Sequence, residues 1–312
     1  MTVRSAPGKV ILFGEHAVVY GKPALAVPVN AVKAQAEVTE QADAASGSIR
    51  IEAPGAGIDL WLHEMPGDDP LAMAVRLVFA EIGRKPPAAL HIRVESDIPL
   101  ASGMGSSAAV SVAVLRALAA HLGHELPPER ASALAFEVEK LHHGTPSGID
   151  NTVVAYEQPV YFIPGSAPRI LNVTAAFTLM IGDTGETSAT REVVAAVRER
   201  WNADPTSMEP VFSEIGSLTD RALRLIEHGE ASSLGPLMDR NQALLKKIDV
   251  SSTGLERLIN AAKQAGALGA KLSGAGRGGV MIALVMPESS AAVEAAVRDA
   301  GAVRTIRTEV GA

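Results

Sequence analysis

Between Pro99 and Gly123 the chain reads PLASGMGSSAAVSVAVLRALAAHLG, a loop of glycines, serines and alanines that runs straight into a long apolar segment. The segment before it, ALHIRVESDIP, alternates polar and apolar residues and ends at Pro99. Alternation with period two marks a half-buried strand, whereas the apolar run after the loop is too long for a strand and reads as a helix. The fold must therefore accommodate a strand, a loop poor in side chains and a helix in immediate succession. A helix N-terminus leaves backbone N–H groups without partners and carries partial positive charge, so such a junction favours an anion. Gly103 and Gly105 let the main chain come close, and Ser106 and Ser107 add hydroxyls. The loop suits a phosphate. The competing reading is a tight turn in which Ser106 or Ser107 only caps the helix.

Around this junction the pattern is mixed. KVILFG, ALAVPV, VKAQAEVTE, SIRIEA and IDLWLHE read as strands, and PLAMAVRLVFAEIG as a helix. PPERASALAFEVEKLHHG has proline near a helix start and Gly144 as its stop. PVYFIPG and AFTLMIGDTG are further strands, followed by a helical block from about Thr190 to Gly266. GAKLSG, VMIALVM and AVRTIRT close the chain as strands, with a helix in SSAAVEAAVRDAG. This order favours α+β over a regular βα alternation. The punctuation PGSAP suggests a division near Gly165, giving domains 1–165 and 166–312.

A net charge of −7 argues against a general nucleic-acid binder, which needs a basic face. The absence of cysteine excludes disulfides, thiolate zinc sites and cysteine nucleophiles. The N-terminal MTVRSAPGKVILFGEH has no uninterrupted apolar core of a leader, and no apolar run approaches the roughly 18 residues of a membrane span. The expectation is a cytoplasmic protein that engages neither nucleic acid nor membrane.

Two phosphate-binding fingerprints can be tested on the glycines. GxxxxGK[ST] does not occur, which removes a P-loop. Gly103, Gly105 and Ala108 satisfy G-x-G-x-x-A, and Gly274, Gly276 and Gly279 satisfy G-x-G-x-x-G. Neither has the surroundings of a dinucleotide fold: Gly103 follows a loop rather than a strand end, and the second match is succeeded by a strand instead of a helix.

Three separated segments are informative together: APGKVILFGEHAVVYG at 6–21, the Ser-rich loop, and KLSGAGRGG at 271–279. Their order and content resemble the three motifs of the GHMP kinases, named for galactokinase, homoserine, mevalonate and phosphomevalonate kinases. GEHAVVYG and HGTPSGIDN at 143–151 are most similar to the branch acting on mevalonate. The resemblance spans nearly the whole chain. It implies a two-domain fold: an N-terminal domain with a left-handed β-α-β unit, a C-terminal ferredoxin-like domain, and an active site in the cleft between them. It also implies ATP and Mg²⁺, a small-molecule acceptor and, since the family includes dimers, a homodimer. A kinase for phosphomevalonate or a sugar, and a non-catalytic ligand sensor, are the alternatives.

By the same resemblance, the ATP phosphates rest on Pro99, Ala101, Ser102, Gly103, Met104, Gly105, Ser106, Ser107 and Ala108, supported by Gly274, Ala275 and Gly276. Asp150 stands beside the acceptor hydroxyl as base or orienting group, with Lys9 as its cationic partner. Ser107 and Glu139 resemble the Mg²⁺ pair; Glu137, two positions away on a helix, faces elsewhere. Glu15, His16 and Thr190 are similar to residues around the mevalonate. The adjacent His142 and His143 diverge on a helix and read as capping or surface residues. Where the family more often has glycine this chain has Arg277, expected to turn outward so that the glycines keep their close backbone approach.

Overall fold

The computed structural model describes residues 1–84, 88–99, 102–143, 146–187 and 190–311, and only the main chain of His142 and His143. In chain order the elements are β1 (Thr2–Phe13), β2 (Ala24–Glu40), β3 (Ile49–Ala53), β4 (Ile58–Trp61), α1 (Pro70–Ile82), β5 (Leu90–Ser96), α2 (Ser106–His121), α3 (Pro128–His143) and α4 (Ile149–Tyr156). Then come β6 (Val160–Phe162), β7 (Arg169–Ile170), β8 (Phe177–Asp183), α5 (Thr190–Ala203), α6 (Pro205–Glu227), α7 (Leu234–Lys247), α8 (Thr253–Gln264), β9 (Gly269–Ser273), β10 (Val280–Val285), α9 (Pro287–Asp299) and β11 (Arg304–Val310). The fold is α+β, as expected. The chain divides into two compact units, one of Met1–Gly8, Val32–Ile98 and Gly105–Glu157, the other of Lys9–Ala31, Pro99–Met104 and Gln158–Ala312. Each unit thus collects distant pieces of sequence.

In the first unit β3 pairs with β4 antiparallel and with β5 parallel, and β5 pairs antiparallel with the later part of β2, Ala34 opposite Ser96. The helix α2 packs against α1, α3, α4 and β5. Its sequence explains that position: Ala108, Ala109, Val112, Ala113, Leu115, Ala117, Leu118 and Ala119 have no exposed surface. Small residues on several faces let four neighbours approach, while each buried leucine contributes about 1.5–3 kcal/mol. The helix α1 starts where Asp69 accepts from the Ala72 N–H at 2.9 Å and Pro70 takes the first turn.

In the second unit the early part of β2 pairs with β6, and β6 with β7. The remaining strands form an antiparallel sheet ordered β11-β8-β10-β9. Numbered within that sheet the order is 4-1-3-2, with helices between the first and second strands and α9 between the third and fourth. This is the ferredoxin-like arrangement. Two strands expected separately, ALAVPV and VKAQAEVTE, are one strand, β2. Pro28 lies between the stretch paired with β6 and the stretch paired with β5, outside both of those ladders.

Candidate active site

In the second unit the strand β1 carries Lys9, 3% exposed, whose Nζ donates to the Gly103 carbonyl at 2.9 Å. The Lys9 main-chain N–H donates to the Met104 carbonyl, also at 2.9 Å. One residue therefore grips the Ser-rich loop through both main chain and side chain. Ser102 closes the turn by donating to the Pro99 carbonyl at 2.8 Å, and Met104 is sunk in the core at 1% exposure. Gly103 and Gly105 have φ of 80° and 72°, in the left-handed region that suits glycine. Ala101 lies outside the described residues.

The second glycine loop follows β9. Gly279 would bring a Cβ within 2.7 Å of the Ser102 carbonyl oxygen, so only glycine fits there. Gly274 and Gly276, flanking Ala275, also have positive φ. Arg277 turns away to the surface: its Nη2 lies 3.0 Å from Asp249 Oδ2, and Nε donates to the Asp249 carbonyl.

His16, at φ 58° and 5% exposed, places Nε2 2.8 Å from the Ala275 carbonyl oxygen. A carbonyl can only accept, so Nε2 carries the ring proton. Burial lowers the His16 pKa to about 4, the contact with Ala275 opposing and the Arg277 charge adding to the shift. The ring is therefore neutral at physiological pH. Glu15 has no exposed surface; it forms an ion pair with Lys271, and its Oε2 accepts from Asn241 Nδ2 at 3.1 Å. Burial pushes the Glu15 carboxyl up and the Lys271 ammonium down, each against the pull of the other's charge. Tyr20, near the end of this segment, stacks on Phe212 at 4.3 Å with Trp201 alongside at 4.6 Å. Thr190 is the exposed first residue of α5.

In the first unit Gly105 is the N-cap residue of α2, with no side-chain cap. The Ser107 hydroxyl is turned to α3, donating to Glu139 Oε1 at 2.5 Å. Ser106 and Ala108 complete the first turn. Glu139 is 2% exposed, whereas Glu137 faces solvent in a pair with Lys140. A serine hydroxyl and a carboxylate are the hard oxygen donors that Mg²⁺ takes, and two protein ligands leave room for phosphate oxygens and water. Among the described residues no group of three or more acidic, histidine or cysteine side chains forms a fuller cage.

Asp150 is half-buried on the first turn of α4, behind Gly148 as N-cap. Its neighbours fasten that turn. Asn151 Nδ2 donates to Ser132 Oγ at 2.9 Å and to the Ser132 carbonyl at 3.1 Å, tying α4 to the helix that carries Glu139. Thr152 Oγ1 donates back to the Gly148 carbonyl at 2.6 Å.

Lys271, Ser273, Asn241, Asn151 and Ser132 were not expected as site residues. Lys271 and Ser273 had a signal, since alternate residues of a strand share a face. Ser273 Oγ accepts from the Ile11 N–H at 2.9 Å and donates to the Ile11 carbonyl at 3.0 Å, on the strand that holds Lys9. Asn241, in mid-helix, had none.

The profile for the GHMP kinases N terminal domain matches residues 70–158, and that for GHMP kinases C terminal matches 222–303. A mevalonate kinase of Pyrococcus horikoshii is 37% identical, the alignment covering 97% of this chain and 93% of that protein. The crystal structure of Methanococcus jannaschii mevalonate kinase superposes with a TM-score of 0.85 at 26% identity, over 98% of this chain and 96% of the other. That of L. major mevalonate kinase in complex with R-mevalonate gives 0.84 at 27% identity, over 99% and 96%. Matched by profiles for both parts of the family and by relatives along nearly its full length, the chain belongs to the GHMP kinase family.

Proposed function

We propose that this protein is an ATP-dependent small-molecule kinase that transfers the γ-phosphoryl group of ATP to the C5 hydroxyl of mevalonate, giving 5-phosphomevalonate and ADP. The observation that carries the reading is the Ser-rich loop. Four residues apart on it are the Gly103 carbonyl that takes the Lys9 ammonium and the Ser107 hydroxyl that meets Glu139. The acceptor follows from full-length likeness to proteins named as mevalonate kinases.

Phosphoryl transfer needs positioning and charge neutralisation more than covalent chemistry. Main-chain N–H groups from Ser102 to Ala108 hold the phosphates at the start of α2, with Gly274, Ala275 and Gly276 supporting them. Ser107 and Glu139 are the residues that would hold Mg²⁺, which would supply neutralisation of the charge on the phosphate oxygens. Asp150 orients the C5 hydroxyl and takes its proton as the oxygen–phosphorus bond forms and the bond to the ADP oxygen breaks. Lys9 stabilises negative charge on the moving phosphoryl group. His16 and Thr190 belong to the mevalonate side of the site; Glu15, expected there with them, has no exposed surface and acts instead through the loop that it holds.

A functional division near Gly165 is part of this reading; it leaves one family profile on each side. So are a homodimer and a cytoplasmic location; among the described residues no helix is long and apolar enough to cross a membrane. The test is ADP release with MgATP and mevalonate, phosphomevalonate, homoserine or galactose. Mevalonate is expected to turn over fastest, and a protein that phosphorylates phosphomevalonate or galactose while leaving mevalonate untouched overturns the assignment.

A further inference from the structure

Glu15 and Lys271 form an ion pair in which neither side chain has any exposed surface. Removing two charges from water costs several kcal/mol per ion, and apolar residues of similar volume often fill such a site with equal or better stability. Stability alone does not account for its presence. What the pair joins is informative.

Glu15 belongs to the turn just beyond β1, the strand that carries Lys9, and Lys271 belongs to β9, which leads directly into the loop of Gly274, Ala275 and Gly276. The Lys271 ammonium also donates to the Leu272 carbonyl at 2.6 Å, and Asn241 on α7 holds the second Glu15 oxygen at 3.1 Å. Two further links join the same segments: Ser273 Oγ to both main-chain groups of Ile11, and His16 to the Ala275 carbonyl. Residues 271, 273 and 275 therefore each fasten a residue of the segment 11–16.

We infer that the buried Glu15–Lys271 pair, completed by Asn241, is a positioning unit that fixes the glycine-rich loop relative to the strand bearing Lys9. Neither side chain has exposed surface to present to a substrate. The unit works through the main chain: a displacement of about 1 Å in a group that positions reactants can cost about a hundredfold in rate. The inference rests on the kinase reading above, because that reading is what gives the two segments a shared task.

The test separates positioning from stability. Lys271→Met alone strands a buried carboxylate and is expected to lower Tm sharply; the double variant Glu15→Gln, Lys271→Met leaves no unpaired charge and should regain most of that loss. Both are compared with the native protein well below their Tm, at saturating MgATP and acceptor. A positioning role predicts that the double variant recovers Tm while kcat stays down by about fivefold or more. Recovery of kcat to within that factor together with Tm makes the pair structural only and overturns the inference. If the double variant does not fold, Asn241→Ala keeps the ion pair and frees one carboxylate oxygen; a fall in kcat of about threefold or more supports the unit and a smaller one overturns it. The comparison uses whichever acceptor of the four the native protein phosphorylates, so an error in the acceptor shows in the native protein and leaves this outcome readable.

Discussion

Ser107, in the first turn of one helix, donates to the nearly fully buried carboxylate of Glu139, near the end of the next, at 2.5 Å. The two expected metal ligands are thus held together, and the neighbouring Glu137 is directed to solvent and Lys140. Glu139→Gln and Ser107→Ala should each raise the Mg²⁺ concentration for half-maximal rate, by about tenfold for the glutamate. Glu137→Gln should leave it unchanged, as read from initial rates across a Mg²⁺ titration at fixed ATP. A shift confined to the Glu137 variant would move the ligand.

Asp150 and Lys9 are proposed to act in the chemical step, so Asp150→Asn and Lys9→Met should lower kcat by about 100- to 10,000-fold with a smaller effect on ATP affinity. Rates and equilibrium nucleotide binding measured on the same folded preparations check this. Near-normal kcat in Asp150→Asn names the wrong carboxylate.

His16 gives stability a pH dependence. Its folded pKa, about 4, lies below the usual histidine value, so between the two the unfolded chain binds the proton and the native chain does not. The free energy of unfolding therefore rises with pH across that window. The residue's contribution is complete above about pH 6.5 and is lost on acidification toward pH 4, amounting to about 3 kcal/mol. Asn also tolerates positive φ, so His16→Asn should flatten the dependence; urea unfolding of both proteins between pH 7 and pH 4.5 measures the difference. Parallel curves contradict it.

Arg277 combines a left-handed φ of 55° with a half-exposed ion pair to Asp249. Glycine there relieves about 1 kcal/mol of backbone strain, while loss of an exposed pair costs about 0–1 kcal/mol and the freer unfolded chain about 0.4–1 kcal/mol. These nearly cancel. Arg277→Gly should shift Tm by less than about 4 °C and leave kcat and KM for ATP within about threefold. A tenfold rise in KM for ATP would put the guanidinium on the nucleotide.

Much of this was legible because motif and local structure coincide. The alternating segment before Pro99 is β5, the apolar run is α2, and Gly103 and Gly105 adopt the backbone that a side-chain-poor loop suggests. The short helix α4 was not legible: no pattern in the sequence marks Asp150 as lying on the first turn of a helix behind Gly148. Asn151 on it reaches Ser132, a contact that no local pattern announces. The same holds for Asn241 and Glu15, 226 residues apart in sequence. Burial of charge is invisible in composition: Lys271 looks like any strand lysine until Glu15 stands opposite it.

The most direct measurement is the structure of the product. Incubated with MgATP and mevalonate labelled with ¹³C at C5, the native protein should yield one new phosphomonoester whose phosphorus couples to the labelled carbon, with one ADP released for each. Phosphate on the C3 oxygen, or ADP released without any phosphorylated mevalonate, would contradict the account.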